Sequence, residues 1–369
     1  MHENAARNRS QKYPVKANSA IAIVSTPLQF LNANELIERL NITHAVLLVA
    51  SATKCVDVYK ALPRSGNATT IRYLQVPRKP LSGIAGLAET VNRVREAKRI
   101  VKDQILTGEF NPQCVILGNL SDELHLYAAN VLSNKVLYIV DDGAATLSTA
   151  RTKKLLRERF VLAICALAGA LVKPRSKTYL QEHSCIFSVF NIVGKVPGNL
   201  QNDFRWLRSC FDSVAEVDEI WVVGQYLVEA GIMSADDYKN AVISAIDEQG
   251  SNYKACYILH PREKYARHHK QLESYGVAVK SLGIPMEVYM LSNRQVPRRA
   301  ITFYSSAFGT CSQLFDSSLP FTFIDARSKI HPAHCKHVIP VYEQLLDSVA
   351  GPHKIHCPYK REWNVHSEC

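Results

Sequence analysis

The feature that most constrains the fold of this chain is a regular alternation of short apolar runs with amphipathic helical patterns. In the first half, helical patterns over 28–41, 84–107 and 122–132 separate runs of aliphatic and β-branched residues. These runs are predicted strands: IAIVST (21–26), HAVLLVAS (44–51), IRYLQVP (71–77), CVILGN (114–119) and VLYIVDDG (136–143). Continuous apolar strands that alternate with helices are typical of a parallel sheet covered by helices on both faces.

The same pattern restarts after a less regular region that ends near residue 210. A strand is predicted over 219–225 (EIWVVGQ), a helix over 234–250 and a strand over 254–261 (KACYILHP). Further strand and short-helix candidates are VAVKSLG, PMEVYMLS, AITFYSS and FTFIDA. The chain is therefore predicted to be an α/β protein with two Rossmann-like, doubly wound domains.

The predicted organisation has four parts. Residues 1–18 are polar and basic without an apolar segment, so we expect a disordered tail and no signal peptide. The N-terminal domain is assigned to 19–200, the C-terminal domain to 201–345 and a C-terminal extension to 346–369. Ten cysteines without a CxxC pair indicate reduced thiols and a cytoplasmic protein.

An excess of basic residues narrows the classes of partner. Lys and Arg number 44 against 33 Asp and Glu, a formal net charge of +11, which favours nucleic acid, phosphate-bearing substrates or an anionic membrane surface. The longest apolar run, 160–172, is shorter than the ~20 residues that span a bilayer. Basic residues flank it over 151–177, so the stretch fits either a buried helix or an element that rests on a membrane.

Four predicted strands end on polar residues, at the edge where sheets of this kind bind ligands. In the first half, Asp141, Asp142 and Gly143 follow one strand, and Thr26 and Gln29 follow the opening strand. Two carboxylates held close together raise the pKa of one of them, which makes it a better base. Gly143 would let the chain turn away without a side chain blocking the site.

The second half places a phosphate-binding set at two further strand ends. His260 is followed by Pro261 and Arg262, and a donor imidazole beside a guanidinium suits a phosphate leaving group. Ser305 and Ser306 precede a small-residue turn, so hydroxyls and free backbone N–H groups fit the same phosphate. Simpler interpretations are a surface histidine and a helix N-cap.

The ordered motifs DDG, HP and SS, with the opening TPLQ and the segment VVGQYLVEAGIMSADDY before YILHPRE, resemble bacterial sialyltransferases, in particular glycosyltransferase family 52. Families 38 and 80 share the three short motifs. The resemblance spans about residues 20–345. It implies a GT-B fold with an interdomain cleft, an inverting and metal-independent reaction, and CMP-sialic acid as the donor.

The resemblance also implies a role for each motif. His260 would hydrogen-bond or protonate the departing phosphate, and Asp142 or Asp141 would take the proton of the acceptor hydroxyl, with Asp142 favoured. Asp237, in the segment before HP, is the alternative base, although it also fits the first turn of a helix that begins after Ser234. The predicted substrate-binding residues are Ser305, Ser306, Pro261, Arg262, Thr26, Gln29 and Gly143.

The implied partners are a nucleotide-sugar donor and a glycan or glycolipid acceptor of lipooligosaccharide, capsule or oligosialic acid type. Peripheral contact with an anionic inner membrane and a homodimer, as in some relatives, are further expectations. No cofactor and no metal is expected, because the His and Cys residues of HPAHCKH (331–337) match no standard ligand spacing. Nucleic acid is not an expected partner, because no basic helix or aromatic-basic strand pair stands out.

Two alternatives remain from the sequence. A GT-B transferase for another nucleotide sugar, such as CMP-Kdo or a UDP- or GDP-sugar, would use the same strand-end carboxylates and phosphate clamp. A non-catalytic scaffold or nucleic-acid-binding protein would keep only the fold. Dinucleotide oxidoreductase, P-loop and α/β-hydrolase functions lack their GxGxxG, GxxxxGK[ST] and GxSxG motifs.

Overall fold

The chain divides between Cys210 and Phe211 into two compact domains, which are described in turn. The structure is a computed structural model. It describes residues 17–51, 56–67, 70–76, 84–103, 110–118, 120, 122–141, 163, 166, 175–190, 198–211, 213–250, 253–264, 266–315, 319–346 and 353–359. Several predicted features lie outside these ranges: the N-terminal tail up to residue 16, Asp142 and Gly143. The basic, apolar stretch 151–177 also lies outside them up to residue 174, apart from residues 163 and 166.

The first domain is a seven-stranded parallel sheet with helices between its strands. Its elements are Ser19–Val24 (β1), Pro27–Arg39 (α1), His44–Ser51 (β2), Val56–Ala61 (α2), Thr70–Gln75 (β3), Ile84–Val101 (α3), Cys114–Leu117 (β4), Glu123–Val131 (α4), Val136–Val140 (β5), Lys177–Glu182 (α5), Cys185–Ser188 (β6), Gly198–Gln201 (β7) and Arg205–Ser209 (α6). The strand order is β3-β2-β1-β4-β5-β6-β7, and every pairing is parallel.

The apolar runs form central strands because both faces of the sheet are covered. All four residues of β4 are buried, and β1 is buried from Ala20 onward. Helix α1 begins at Pro27 because Thr26 caps it by accepting the N–H of Gln29, and proline fits a first helical position. Ten consecutive residues of α1, Leu28–Ile37, are buried, including polar ones, so this helix lies inside the domain.

The second domain repeats the architecture with a six-stranded parallel sheet. Its elements are Ala215–Val223 (β8), Ala235–Asp247 (α7), Lys254–Ile258 (β9), Arg267–Ser274 (α8), Ala278–Lys280 (β10), Met286–Asn293 (α9), Gln295–Thr302 (β11), Ala307–Phe315 (α10), Phe321–Ile324 (β12), a short 3-10 turn Arg327–Lys329, Pro332–Leu346 (α11) and Lys354–His356 (β13). The order is β10-β9-β8-β11-β12-β13, again all parallel. One core cluster joins β8, β9 and β11 to α7 and α11 through residues such as Tyr238, Tyr257 and Tyr342.

In each sheet the order in which the strands are added along the chain reverses at one point, although all strands stay parallel. In the first sheet the order turns between β1 and β4, and in the second between β8 and β11. Ligands in doubly wound sheets bind beyond the carboxyl ends of the strands at such a switch point. The predicted fold class, two Rossmann-like doubly wound domains, is confirmed by this topology.

Two domain limits differ from those read off the sequence. Helix α6 belongs with the first domain because the Glu35 carboxylate in α1 accepts the N–H groups of Trp206 and Leu207 at 3.0 and 2.7 Å, so the division lies at Cys210 and not at residue 200. The predicted C-terminal extension contains β13, which pairs with β12 and so completes the second sheet.

In the part of the chain that the structure describes, no helix is long and apolar enough to cross a membrane. The described cysteines are free thiols. Burial raises the pKa of several of them, to about 12 for Cys114 and about 11 for Cys185 and Cys256, so they are packed as small apolar side chains.

Candidate functional site

Two strands beside the second switch point end on predicted phosphate-binding residues, and the strand between them ends on Gln225, which was not predicted. Gln225 follows the central strand β8, while His260 follows β9 and Ser305 follows β11, on either side of it. Because β9 and β11 are separated by one strand, their ends lie about 10 Å apart. The sequence thus placed His260 and the serines correctly at strand ends that flank the switch point.

His260 is held in one orientation by its own loop. Its ring Nδ1 accepts the backbone N–H of Arg262 at 3.1 Å, so the neutral ring carries its proton on Nε2. Burial lowers the pKa of His260, and the nearby Glu263 carboxylate partly offsets this effect. At neutral pH the imidazole therefore presents Nε2–H as a neutral hydrogen-bond donor. Pro261 and Arg262 are exposed beside it, and no described side chain forms an ion pair with Arg262.

The two serines differ in what they contact. Ser305 Oγ accepts the N–H of Ala307 at 3.2 Å, and its carbonyl accepts the N–H of Phe308, so Ser305 closes the turn that starts α10. This matches the simpler N-cap interpretation. Ser306 is half-buried and its hydroxyl makes no hydrogen bond with the described residues, which leaves it available to a ligand at the start of α10.

A buried chain of hydrogen bonds links these loops. The side chain of Gln225 accepts the N–H groups of Phe303 and Tyr304 at 3.2 and 2.9 Å, and its own N–H donates to the Tyr238 hydroxyl at 3.1 Å. The end of β8 is thereby tied to the end of β11.

The chain continues to the HP loop. The hydroxyls of Tyr238 and Tyr257 lie 2.7 Å apart, and Tyr257 donates to Glu263 Oε1 at 2.6 Å. Glu263 Oε2 accepts the N–H of His260 at 2.6 Å. Burial is the main cause of the raised pKa of both tyrosines, so their hydroxyls stay protonated and act as donors.

In the first domain Asp141 lies at the end of β5, as predicted, but its side chain is buried and hydrogen-bonded within the domain. It is 2% exposed, its Oδ2 accepts the Ser188 hydroxyl at 2.8 Å, and its carbonyl accepts the Asn32 amide at 3.0 Å. Asn32 in turn accepts from Asn202 at 2.8 Å. A carboxylate in this buried network is not presented to a substrate. Asp142, the favoured base, directly follows it but lies outside the described residues, as does Gly143.

Thr26 and Gln29 form the turn at the first switch point. Thr26 caps α1, and the buried Gln29 side chain accepts the N–H of Ser25 at 2.8 Å. Its amide nitrogen has no partner among the described residues, so a buried donor remains available there. Ser25 Oγ also lies 3.2 Å from Nε2 of the fully buried His125.

The alternative base Asp237 and Arg298 have structural partners. Ser234 Oγ donates to Asp237 Oδ2 at 2.6 Å and accepts the Asp237 N–H at 3.1 Å, which is the contact pattern of a helix cap. Arg298 pairs with Glu216 at 3.1 Å at the beginning of β11, the end opposite to Ser305. Arg262 is the arginine that directly follows the HP motif.

Among the described residues, one group of side chains comes close enough together to hold an ion. Candidate ligand atoms of Glu263, His268 and His269 lie within 4.8 Å of one another, and His331–His337 do not belong to this group. His269 Nδ1 accepts the N–H of Ala266 at 2.9 Å, so its Nε2 carries the proton and is a donor. The arrangement suits a buried imidazole beside a carboxylate better than a metal ligand set.

Sequence reasoning missed the residues that support the site. Gln225 and Tyr238 lie in VVGQYLVEAGIMSADDY, and Tyr257 and Glu263 lie in YILHPRE, but no role was assigned to them, because their bonds join residues up to 79 positions apart. The available signals were these two segments, in which Glu263 is a carboxylate three residues after the histidine.

No family model and no curated protein matches the chain. Solved structures are similar. UGT89C1 of Arabidopsis thaliana, complexed with UDP-L-rhamnose, is 11% identical with a TM-score of 0.51 over 93% of this chain and 85% of its own. CalG4, the calicheamicin glycosyltransferase, is 10% identical (TM-score 0.46; 93% and 86%), and MurG of Acinetobacter baumannii 11% (TM-score 0.42; 93% and 87%). The likeness to UGT89C1 shows the fold, which is of the GT-B type with two Rossmann-like domains.

Proposed function

We propose that this protein is a glycosyltransferase that moves sialic acid from CMP-sialic acid to a hydroxyl of a glycan acceptor, with inversion and without a metal ion. The GT-B fold is common to the structure and to UGT89C1, which was solved with a nucleotide sugar. The choice of CMP-sialic acid rests on the DDG, HP and SS motifs and their resemblance to family 52.

The observation that carries the proposal is the state of His260. Its Nδ1 is occupied by the Arg262 N–H, so Nε2–H is free to donate, beside an exposed guanidinium and across the switch point from the free Ser306 hydroxyl. A neutral donor, a cation and a hydroxyl at the carboxyl edge of a doubly wound sheet form a phosphate-binding set. Such a set stabilises the charge that develops on a departing phosphate.

The proposed reaction is a single displacement. The acceptor hydroxyl oxygen bonds to the anomeric carbon of sialic acid while the bond from that carbon to the phosphate oxygen of CMP breaks. The hydroxyl proton passes to a carboxylate, and CMP leaves with the bonding electron pair, held by His260, Arg262 and Ser306. Asp142 is the proposed base, because the carboxylate of Asp141 is already engaged by Ser188.

The test is incubation with CMP-sialic acid and a panel of lactoside, lipooligosaccharide-like and oligosialic acid acceptors, with products identified by mass spectrometry. We expect Asp142→Ala and His260→Ala each to lower transfer by about 100-fold or more, the usual size of an acid–base or donor contribution. Asp237→Ala is the matched control and should keep its activity, because that carboxylate serves a cap. Full activity in both test variants would sink the proposal.

The nucleotide can be identified separately. A rise in the thermal midpoint with CMP, and none with UDP or GDP, supports a CMP-linked donor. A response to UDP or GDP alone would instead favour a GT-B transferase for another sugar nucleotide. Salt-dependent binding of DNA or RNA without any nucleotide response would favour a non-catalytic role.

A further inference from the structure

The carboxylate of Glu263 is buried and connects strand β9 to the HP loop. Its side chain is 1% exposed, and its two oxygens accept the Tyr257 hydroxyl and the His260 N–H, both at 2.6 Å. These are short, charge-assisted hydrogen bonds, which are stronger and more directional than neutral ones. One carboxylate therefore fixes both the end of β9 and the start of the HP loop.

We propose that Glu263 is the positioning residue for His260, and that the hydrogen-bonded chain from Glu263 through Tyr257, Tyr238 and Gln225 holds the HP and SS loops in one fixed arrangement. The inference rests on the proposed function in so far as His260 is the group that meets the donor phosphate. Glu263 itself lies behind the loop and acts through the backbone of His260.

The direction of the hydrogen bonds shows why a carboxylate is needed. The chain ends in a backbone N–H donor on each side, that of Gln225 and that of His260. Each tyrosine hydroxyl accepts one bond and donates one, so the bonds run from Gln225 to Tyr238, to Tyr257 and to Glu263. Two donors then converge on the final residue, and only a side chain that accepts at both oxygens satisfies them.

Glutamine at position 263 cannot satisfy this chain. Its NH₂ group would face either the His260 N–H or the Tyr257 hydroxyl. If Tyr257 reversed to accept from that NH₂ group, it would donate to Tyr238, whose oxygen would then accept from both Tyr257 and the Gln225 N–H, and the buried O–H of Tyr238 would lose its acceptor. Each orientation therefore leaves a buried donor without an acceptor, either the His260 N–H or the Tyr238 O–H, so the isosteric substitution Glu263→Gln should release the loop.

Gly224, at the end of β8, leaves room for the Glu263 carboxylate. A Cβ added to Gly224 would lie 2.4 Å from Glu263 Oε2 and 2.6 Å from the Ile258 carbonyl oxygen. The strand end of β8 thus carries no side chain where the Glu263 carboxylate lies against it. This close approach is independent of the hydrogen bonds and points to the same fixed position.

A matched control lies beside the site. Glu229 is also acidic and close enough to His260 to affect its titration, yet its Oε1 accepts the N–H of Lys264 and it does not contact the His260 backbone. Glu229→Gln removes a nearby negative charge and leaves the His260 N–H bonded. Any effect that depends on charge alone will appear in both variants, whereas an effect of position will appear only at residue 263.

The experiment compares wild type, Glu263→Gln, Glu263→Asp and Glu229→Gln in the full chain. The first readout needs no activity: the ring nitrogen signals of His260, assigned by their loss in His260→Gln, report its tautomer. The second is the steady-state transfer reaction from CMP-sialic acid, with kcat separated from KM. Thermal midpoints verify that each variant is folded. If Glu263→Gln does not fold, Glu263→Asp replaces it in the comparison, because this variant keeps the charge but has a shorter side chain.

We expect His260 to lose its single Nε2–H tautomer in Glu263→Gln and to keep it in Glu229→Gln. We expect kcat to fall about 100-fold in Glu263→Gln, the size of a small misplacement, with little change in KM, and Glu229→Gln to stay within about twofold of wild type. An unchanged His260 tautomer in Glu263→Gln, or equal losses in both variants, overturns the proposal. If wild type transfers no sugar, the proposed function fails and the tautomer alone decides the role of Glu263.

Discussion

Gly224 shows at the scale of one residue how close packing fixes the site. Its hypothetical Cβ meets a backbone carbonyl at 2.6 Å, which cannot swing away as a flexible side chain would. We expect Gly224→Ala to lower the free energy of unfolding by about 1–3 kcal/mol, as overpacking does, and to reduce transfer with it. Gly66→Ala is the control, since nothing lies within 4 Å of a Cβ there. Urea unfolding measures both, and equal stabilities would contradict this account.

His268 makes stability depend on pH. It is 3% exposed, its Nε2 has no partner among the described residues, and it faces His269, Glu229, Glu263 and the ring of Tyr238. Burial lowers its pKa below the usual 6.5, as it does for His260. When the folded pKa is the lower one, the unfolded chain binds more protons in acid, so this stability is present above pH 6.5 and is lost as the pH falls below it.

We therefore expect the thermal midpoint to drop between about pH 7.5 and pH 5.5, and to drop less in His268→Gln. An identical slope in wild type and His268→Gln would show that other groups cause the loss in acid.

At the scale of elements, the turn from β1 into α1 is built around Gln29. A Cβ on Gly118, at the end of β4, would lie 1.9 Å from Gln29 Oε1, so the glutamine amide fills the space between the two strand ends. We expect Gly118→Ala to displace this amide and leave the Ser25 N–H unbonded, which costs about 1–3 kcal/mol. Gln29→Ala should cost a similar amount, and the double variant clearly less than the sum, because both changes act on one contact. Strict additivity in urea unfolding would contradict it.

The elements also show what the sequence could predict. The apolar strands β1, β2, β4, β5, β8 and β9 were found because each contains at least four consecutive buried residues next to a helical pattern. Strands β6 (CIFS), β7 (GNLQ) and β13 (KIH) were missed. The buried β6 is only four residues long and lies in the region that the sequence pattern left irregular, whereas β7 and β13 are short edge strands fixed by pairing with β6 and β12. The polar strand ends were located by the same reasoning. Which of their side chains are free depends on partners far away in sequence, as Asp141 with Ser188 shows.

At the scale of the whole molecule, each sheet is built from one part of the chain. All strands of the seven-stranded sheet precede Cys210, and all strands of the six-stranded sheet follow it. The first domain holds a buried ion cluster in which Arg93 bonds Asp122 and Glu123, both at 2.9 Å, between α3 and α4. The second holds the proposed nucleotide site. A perturbation placed in either sheet should therefore act on the unfolding of its own domain.

We expect calorimetry to show a separate unfolding transition for each of the two domains. Arg93→Met leaves two buried carboxylates without their guanidinium and should destabilise the first domain by about 3–5 kcal/mol, whereas Arg99→Met, which removes an exposed ion pair, should have little effect. CMP at about 100 times its dissociation constant should stabilise the second domain by about 2.7 kcal/mol. Because the two perturbations act on different cores, Arg93→Met should lower one transition and CMP should raise the other. A single transition that responds to both would mean that the two domains unfold as one cooperative unit, with nucleotide binding then stabilising the first sheet as well as the second.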